Sequence, residues 1–123
     1  MPNVTYDDLH SVLSTLSATS DDIQACAVVS IDGLLLASNF PAGLDEERVG
    51  ALAAALVALG DRTGKELERG EMQEVFVRCS EGMVALTSAG SERVLIALCL
   101  KSAKPGVISL DMQGAAEEIG KIV

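Results

Sequence analysis

Three cysteines, a single histidine and a few paired carboxylates are the side chains of this sequence whose chemistry could amount to a reaction. Cys26, Cys79 and Cys99 each sit inside an apolar run. A thiolate nucleophile needs a base beside it, but the lone imidazole, His10, falls on a predicted helix while the cysteines fall in predicted strands. An odd number of cysteines without C-x-x-C spacing argues against a disulfide framework and against a zinc site. Buried free thiols are the expectation. Asp7 and Asp8 are explained by helix capping, and Glu46-Glu47 and Glu117-Glu118 read as solvated helix faces. Gly60-Asp61-Arg62-Thr63-Gly64-Lys65-Glu66 offers a Gly-Lys pair, but its first glycine is wrongly spaced for a phosphate-cradling loop and the segment lies in mid-helix. No dinucleotide fingerprint, G-x-S-x-G or H-E-x-x-H occurs. The expectation is a chain with no catalytic residues, no metal, no cofactor and no small-molecule substrate.

Composition narrows the remaining possibilities. The 123 residues suit one domain, 1–123, with 49% apolar residues to build its core. Tyr6, Phe40 and Phe76 are the only aromatic residues, so the stacking surfaces of single-strand nucleic-acid binders are missing. A formal net charge of −9, from 18 acidic and 9 basic residues, repels phosphate backbones and anionic lipid. Nucleic acid is therefore not an expected partner. The start of the sequence lacks the basic-then-apolar pattern of a signal peptide. The longest apolar stretch, 51–59, is too short to span a bilayer, so a cytoplasmic protein without a transmembrane segment is expected.

Thr5-Tyr6-Asp7-Asp8 reads as a helix start capped by the Thr5 hydroxyl, and Tyr6, Leu9, Leu13 and Leu16 form one apolar stripe ending near 19–22. Runs at 25–30 and 34–38 flank Asp32-Gly33, the local signal for a tight hairpin. Asp45 caps a long helix running to about Arg69, with Gly70 as its left-handed stop. Strands follow at 74–79, 83–88 and 93–100, with Glu81-Gly82 and Ala89-Gly90 as turns. Pro105 and Gly106 open a last helix with Ile108, Met112, Ala115, Ala116 and Ile119 along one stripe. The predicted fold is α+β in the order α-β-β-α-β-β-β-α, with short loops making neighbouring strands antiparallel.

The middle helix has two apolar faces where a surface helix needs only one. At about 100° per residue, Leu52, Leu56, Leu59, Thr63 and Leu67 share one face; Gly50, Ala53, Ala54, Val57, Gly60 and Gly64 lie roughly opposite. Glycine in a helix interior costs about 1 kcal/mol relative to alanine, so a close approach of another element is expected at those positions. The reading is that the leucines lie on the chain's own sheet and the small face meets the same helix of a second copy about a two-fold axis. Arg48, Arg62, Lys65 and Arg69 form a basic stripe on the remaining side, suited to an acidic partner surface. Glu74 and Arg78, flanking Phe76 on a strand of alternating character, suit cross-pairing at a two-fold strand contact.

Val28-Val29-Ser30-Ile31-Asp32-Gly33-Leu34-Leu35-Leu36-Ala37-Ser38, the Ala/Leu/Gly helix 46–69 and Val94-Leu95-Ile96-Ala97-Leu98 together resemble the Roadblock/dynein-light-chain family of the longin-like group. The resemblance covers almost the whole chain. It implies a five-stranded antiparallel sheet with helices on both faces, a profilin-like layer sandwich. It also implies a homodimer built from the middle helix and third strand, with the two sheets joined into one. The family's bacterial members look like partners of Ras-like small GTPases, including gliding-motility regulators that activate GTP hydrolysis. A homodimeric, non-catalytic GTPase regulator is the expectation. The alternatives are a structural adaptor with no effect on nucleotide state, and a small enzyme or ligand-binding domain of longin-like shape.

Overall fold

The structure, a computed structural model, describes residues 4–122. The reading of a leader-free start rests partly on positions 1–3, which lie outside the described residues, as does residue 123. Three helices and five strands follow in the expected order: α1 (Val4–Thr19), β1 (Ile23–Ser30), β2 (Leu35–Ser38), α2 (Glu46–Glu66), β3 (Glu74–Cys79), β4 (Gly82–Ser88), β5 (Arg93–Cys99) and α3 (Pro105–Lys121). The strands form one sheet in the order β2-β1-β5-β4-β3, and each neighbouring pair is antiparallel. β2 and β3 are its edges.

Alternation along the strands divides the apolar side chains between two faces. Cys26, Val28, Met83, Ala85, Leu95 and Ala97 face one way, where Leu9, Leu13 and Leu16 of α1 and Ile108, Met112 and Ile119 of α3 cover them. Ala27, Val29, Leu86, Val94 and Ile96 face the other way, under Ala53 and Val57 of α2. Two helices thus cover one side and a single helix the other, which leaves part of the second side uncovered. No helix among the described residues is long and apolar enough to cross a membrane.

The Asp32-Gly33 turn forms as predicted. Gly33 takes a φ of 93°, its N–H donates to the Ser30 carbonyl at 3.0 Å, and the Ser30 N–H donates to the Leu34 carbonyl at 2.8 Å. Asp45 caps α2 by accepting from the Arg48 N–H at 3.2 Å. Other local details differ. Thr5 lies inside α1, which already includes Val4, so it is not the cap. α2 stops at Glu66, with Glu68 taking the first left-handed conformation (φ 57°) and Gly70 a second one farther on (φ 90°). The Arg69 N–H then closes the end by donating to the Gly64 carbonyl at 2.7 Å. The β3–β4 turn is Ser80-Glu81, since Gly82 already pairs with Cys79.

Candidate functional site

α2 has the two apolar faces that its sequence shows, but the structure exchanges their roles. Gly50, Ala53 and Val57 are buried against the chain's own sheet. An added Cβ at Gly50 would run into the Gly33 carbonyl oxygen of the β1–β2 turn, and one at Gly64 into the Gly70 carbonyl oxygen. At Gly60 it would lie 2.6 Å from Met72 Cγ. Gly50, Ala53 and Val57 are therefore taken up by their own chain, and their assignment to the contact with a second copy is corrected; Ala54, Gly60 and Gly64 are half-buried beside them. Only the small face lets the helix sink onto the hairpin tip and the 68–72 turn. Of the leucines, Leu56 stays half-buried against the chain's own sheet as expected, while the others point away: Leu52 is 57% and Leu59 63% exposed, and Thr63 and Leu67 are exposed with them. Ala51, Ala55 and Ala58, also exposed, continue that outward surface.

On the side toward β3 this surface descends into an apolar trough. Leu52 and Leu56 form its helical wall, and Val77, Val84, Ile96 and Leu98 its floor, with Phe40 and Leu44 closing one end around a cavity of 590 Å³. A second hollow of 440 Å³ continues it past Leu59, Gly60 and Val75. Leucines and valines that a monomer would ordinarily cover thus line two adjoining hollows that share Leu56.

The trough ends at the free edge of β3. The Ser88 N–H donates to the Gln73 carbonyl at 2.9 Å, and Cys79 pairs with Gly82 across a two-residue turn. By alternation, residues 73, 75, 77 and 79 bond inward to β4, while the backbone groups of Glu74, Phe76 and Arg78 point outward along the edge. The edge carries neither proline nor bulge, the usual protections against pairing. Phe76 packs against the α1/α3 core. The Glu74 carboxylate accepts from Ser109 Oγ of α3 at 2.8 Å, and Gln113 Nε2 donates to the same hydroxyl at 3.1 Å. Arg78 is exposed.

The expected basic stripe is only partly continuous. Arg48, at the mouth of the trough, Arg62 and Lys65 are exposed on α2. Arg62 spends part of its charge on Glu66, at 2.9 Å one turn later. Arg69 is exposed beyond the end of the helix, so it flanks the stripe without sharing its face.

The groups with catalytic potential stand apart. Cys26 and Cys99 are buried, but Cys79, at the tip of the edge strand, is exposed and corrects the expectation of three buried thiols. Burial pushes the Cys99 thiol up to about 11, with Asp22 and Cys26 adding to the effect. Burial also raises Cys26, against weaker opposing hydrogen bonds from Ser17 and Asn39. Neither is a thiolate at neutral pH. His10 stacks on Tyr6 with ring centroids 5.8 Å apart. Among the described residues no group of three or more His, Cys, Asp or Glu side chains is placed to hold a metal ion.

Leu52 and Leu59 are the exposed residues that periodicity misassigned, and half-buried Val75 and Val77 line the hollows without having been singled out. The signal for them was the pairing of helical glycines with turn glycines elsewhere, Gly50 with Gly33 and Gly64 with Gly70.

A family model described as the Roadblock/LC7 domain matches residues 11–99. An uncharacterized protein of Methanocaldococcus jannaschii is 34% identical over 108 residues, 88% of this chain and 93% of that one. Among solved structures, Myxococcus xanthus MglB matches with a TM-score of 0.88 at 21% identity, over 99% of this chain and 92% of that chain. An MglB with a tetrameric arrangement matches with a TM-score of 0.87 at 19% identity, over the same shares, 99% and 92%.

Proposed function

Because this chain belongs to the Roadblock/LC7 domain family, we propose that it is a homodimeric, non-catalytic cytoplasmic platform that binds a Ras-like small GTPase and modulates its GTP hydrolysis. The observation that carries the dimer is the apolar trough running from the outward leucines of α2 to the open edge of β3. One covering element satisfies both: a second copy related by a two-fold axis, its α2 lying antiparallel beside the first and its β3 added to the sheet edge. With Phe76 near the axis, Glu74 of one copy meets Arg78 of the other in both directions. The antiparallel helices also bring the acidic start of α2 (Asp45, Glu46, Glu47) toward the Lys65 end of its twin. The tetrameric arrangement of the similar MglB is compatible with such self-association.

The GTPase enters from the family. As the family resemblance implies, bacterial Roadblock proteins look like partners of Ras-like GTPases, and exposed Arg48, Arg62 and Lys65 on α2, with Arg69 beyond its end, offer cationic contacts to such a partner, Arg62 sharing its charge with Glu66. The effect on hydrolysis comes from repositioning the GTPase's own groups, with Arg69, exposed on the connection after α2, acting as a docking residue.

Light scattering after size exclusion at micromolar concentration tests the dimer: twice the 12.8 kDa chain mass is expected, and a clean monomer overturns it. Single-turnover GTP hydrolysis by a Ras-like GTPase recovered from the source cells, with and without the protein, tests the regulation. Binding without any change in turnover assigns the chain the adaptor role instead. Arg62→Glu with Lys65→Glu weakens that binding at least about tenfold if the basic stripe docks the partner.

A further inference from the structure

On the sheet face opposite α2, α1 and α3 lie side by side over a groove of 290 Å³. Ser11, Thr15 and Thr19 form its α1 wall, and Asp111, Gly114 and Glu118 its α3 wall. Thr15 Oγ1 donates to the Ser11 carbonyl at 3.1 Å and Thr19 Oγ1 to the Thr15 carbonyl at 2.9 Å. Those two hydroxyls are satisfied within their own helix and make no demand on an occupant. The opposite wall carries two carboxylates and no cation. Glu118 touches Lys121 at 3.4 Å, an exposed contact of little strength, and among the described residues Asp111 pairs with no cation.

Gly114 is the second, separate observation. It sits in the interior of α3, where glycine is among the poorest helix formers. Gly50, Gly60 and Gly64 of α2 are each explained by an element of their own chain pressing on them. At Gly114 an added Cβ would meet nothing within 4 Å, so the chain itself gives no reason for the missing side chain. On the same outward side of α3, Val107 is 48% and Leu110 72% exposed. An apolar ridge, a gap where a methyl would stand and two carboxylates seven residues apart therefore lie along one helix. At 1.5 Å per residue the carboxylates are separated by about 10 Å along the axis.

We infer that this groove is a docking site for an amphipathic helix of a partner protein, one bearing Lys or Arg at seven-residue spacing with small apolar residues between. The two carboxylates match that spacing in sign and reach. The gap at Gly114 lets the helical backbones approach closely, and Val107 and Leu110 supply the apolar contact. The surface is separate from α2 and the β3 edge, so it does not depend on the dimer or on the GTPase.

The test uses the full chain and a synthetic helical peptide of alanine and leucine with lysine at every seventh position, beside a counterpart bearing glutamate there. Fluorescence anisotropy should show binding of the lysine peptide alone, weakening as salt rises. Gly114→Leu fills the gap, its Cβ meeting no atom of the chain within 4 Å, and should lower affinity at least about tenfold with the circular dichroism spectrum unchanged. Asp111→Asn with Glu118→Gln should lower it several-fold and flatten the salt dependence, and serves as the test if Gly114→Leu fails to fold. Leu59→Asp, on the other face, should leave peptide binding intact even where it breaks the dimer. No binding, equal binding of the glutamate peptide, or binding indifferent to both groove variants overturns the proposal. So do assemblies above the dimer that Gly114→Leu dissolves, which would assign the groove to another copy of this chain.

Discussion

Gly50 and Gly114 are both helical glycines, yet their surroundings are opposite, and so are the expected effects of alanine. At Gly50 the new methyl meets the Gly33 carbonyl oxygen of a tight turn. Overpacking against backbone outweighs the gain in helix propensity, and Gly50→Ala should destabilise the fold by about 2 kcal/mol. At Gly114 there is open space, and alanine should stabilise by about 1 kcal/mol. Urea unfolding of the two variants checks both signs. Cys99 gives a third residue-level expectation. Its thiol is held near 11, above the ordinary 9.0, by burial first and then by Asp22 and Cys26. Above pH 9 the unfolded chain sheds this proton while the folded chain keeps it. The stabilisation is therefore full below pH 9 and lost as pH rises toward 11. The fall in melting temperature between those values should be smaller in Cys99→Ala; an equal fall would show that other groups govern it.

At the scale of the element, α2 shows what a helical period can and cannot tell. Spacing alone separates Leu52, Leu56 and Leu59 from Gly50, Ala53 and Val57. Which set turns inward depends on the shape of the neighbour, and for Gly50 that neighbour is the Gly33 turn, 17 residues earlier in the chain. Large residues were the natural choice for the core because they bury more apolar area. The hairpin tip at Gly33 leaves no room for them. β3 is more legible, because Glu74, Phe76 and Arg78 share one face and Val75 and Val77 the other, which already describes a half-covered strand, and its edge position is seen in the sheet order. Two predictions follow the paired elements. Leu59→Asp places a charge in the trough and should convert the dimer to monomer in light scattering at micromolar concentration. Arg78→Glu should weaken the dimer by setting like charges opposite, and adding Glu74→Arg should restore it. Failure of that rescue would remove Phe76 from the two-fold position.

Across the whole molecule the element order, the antiparallel sheet and the α3 stripe of Ile108, Met112 and Ile119 could be read in advance, because they follow from periodicity and short connections. The uncovered trough could not, since it arises where one helix is too narrow for the sheet face it covers. Charge acts at this scale too. Each copy carries −9, and two copies repel before their local pairs can attract. Exposed pairs of the Glu74–Arg78 kind contribute less than about 1 kcal/mol. Screening should therefore favour assembly, and the dimer's Kd should fall as salt rises from about 0.01 to 0.15 M. Sedimentation equilibrium across that range measures it, and a Kd that climbs with salt would give local ion pairs the larger role.

The short chain of hydrogen bonds from Gln113 through Ser109 to Glu74 stitches the third helix to the strand at the sheet's rim. A carboxylate tethered in this way cannot swing freely toward an arginine arriving from outside, so the helix has a hand in how readily the rim accepts a neighbour.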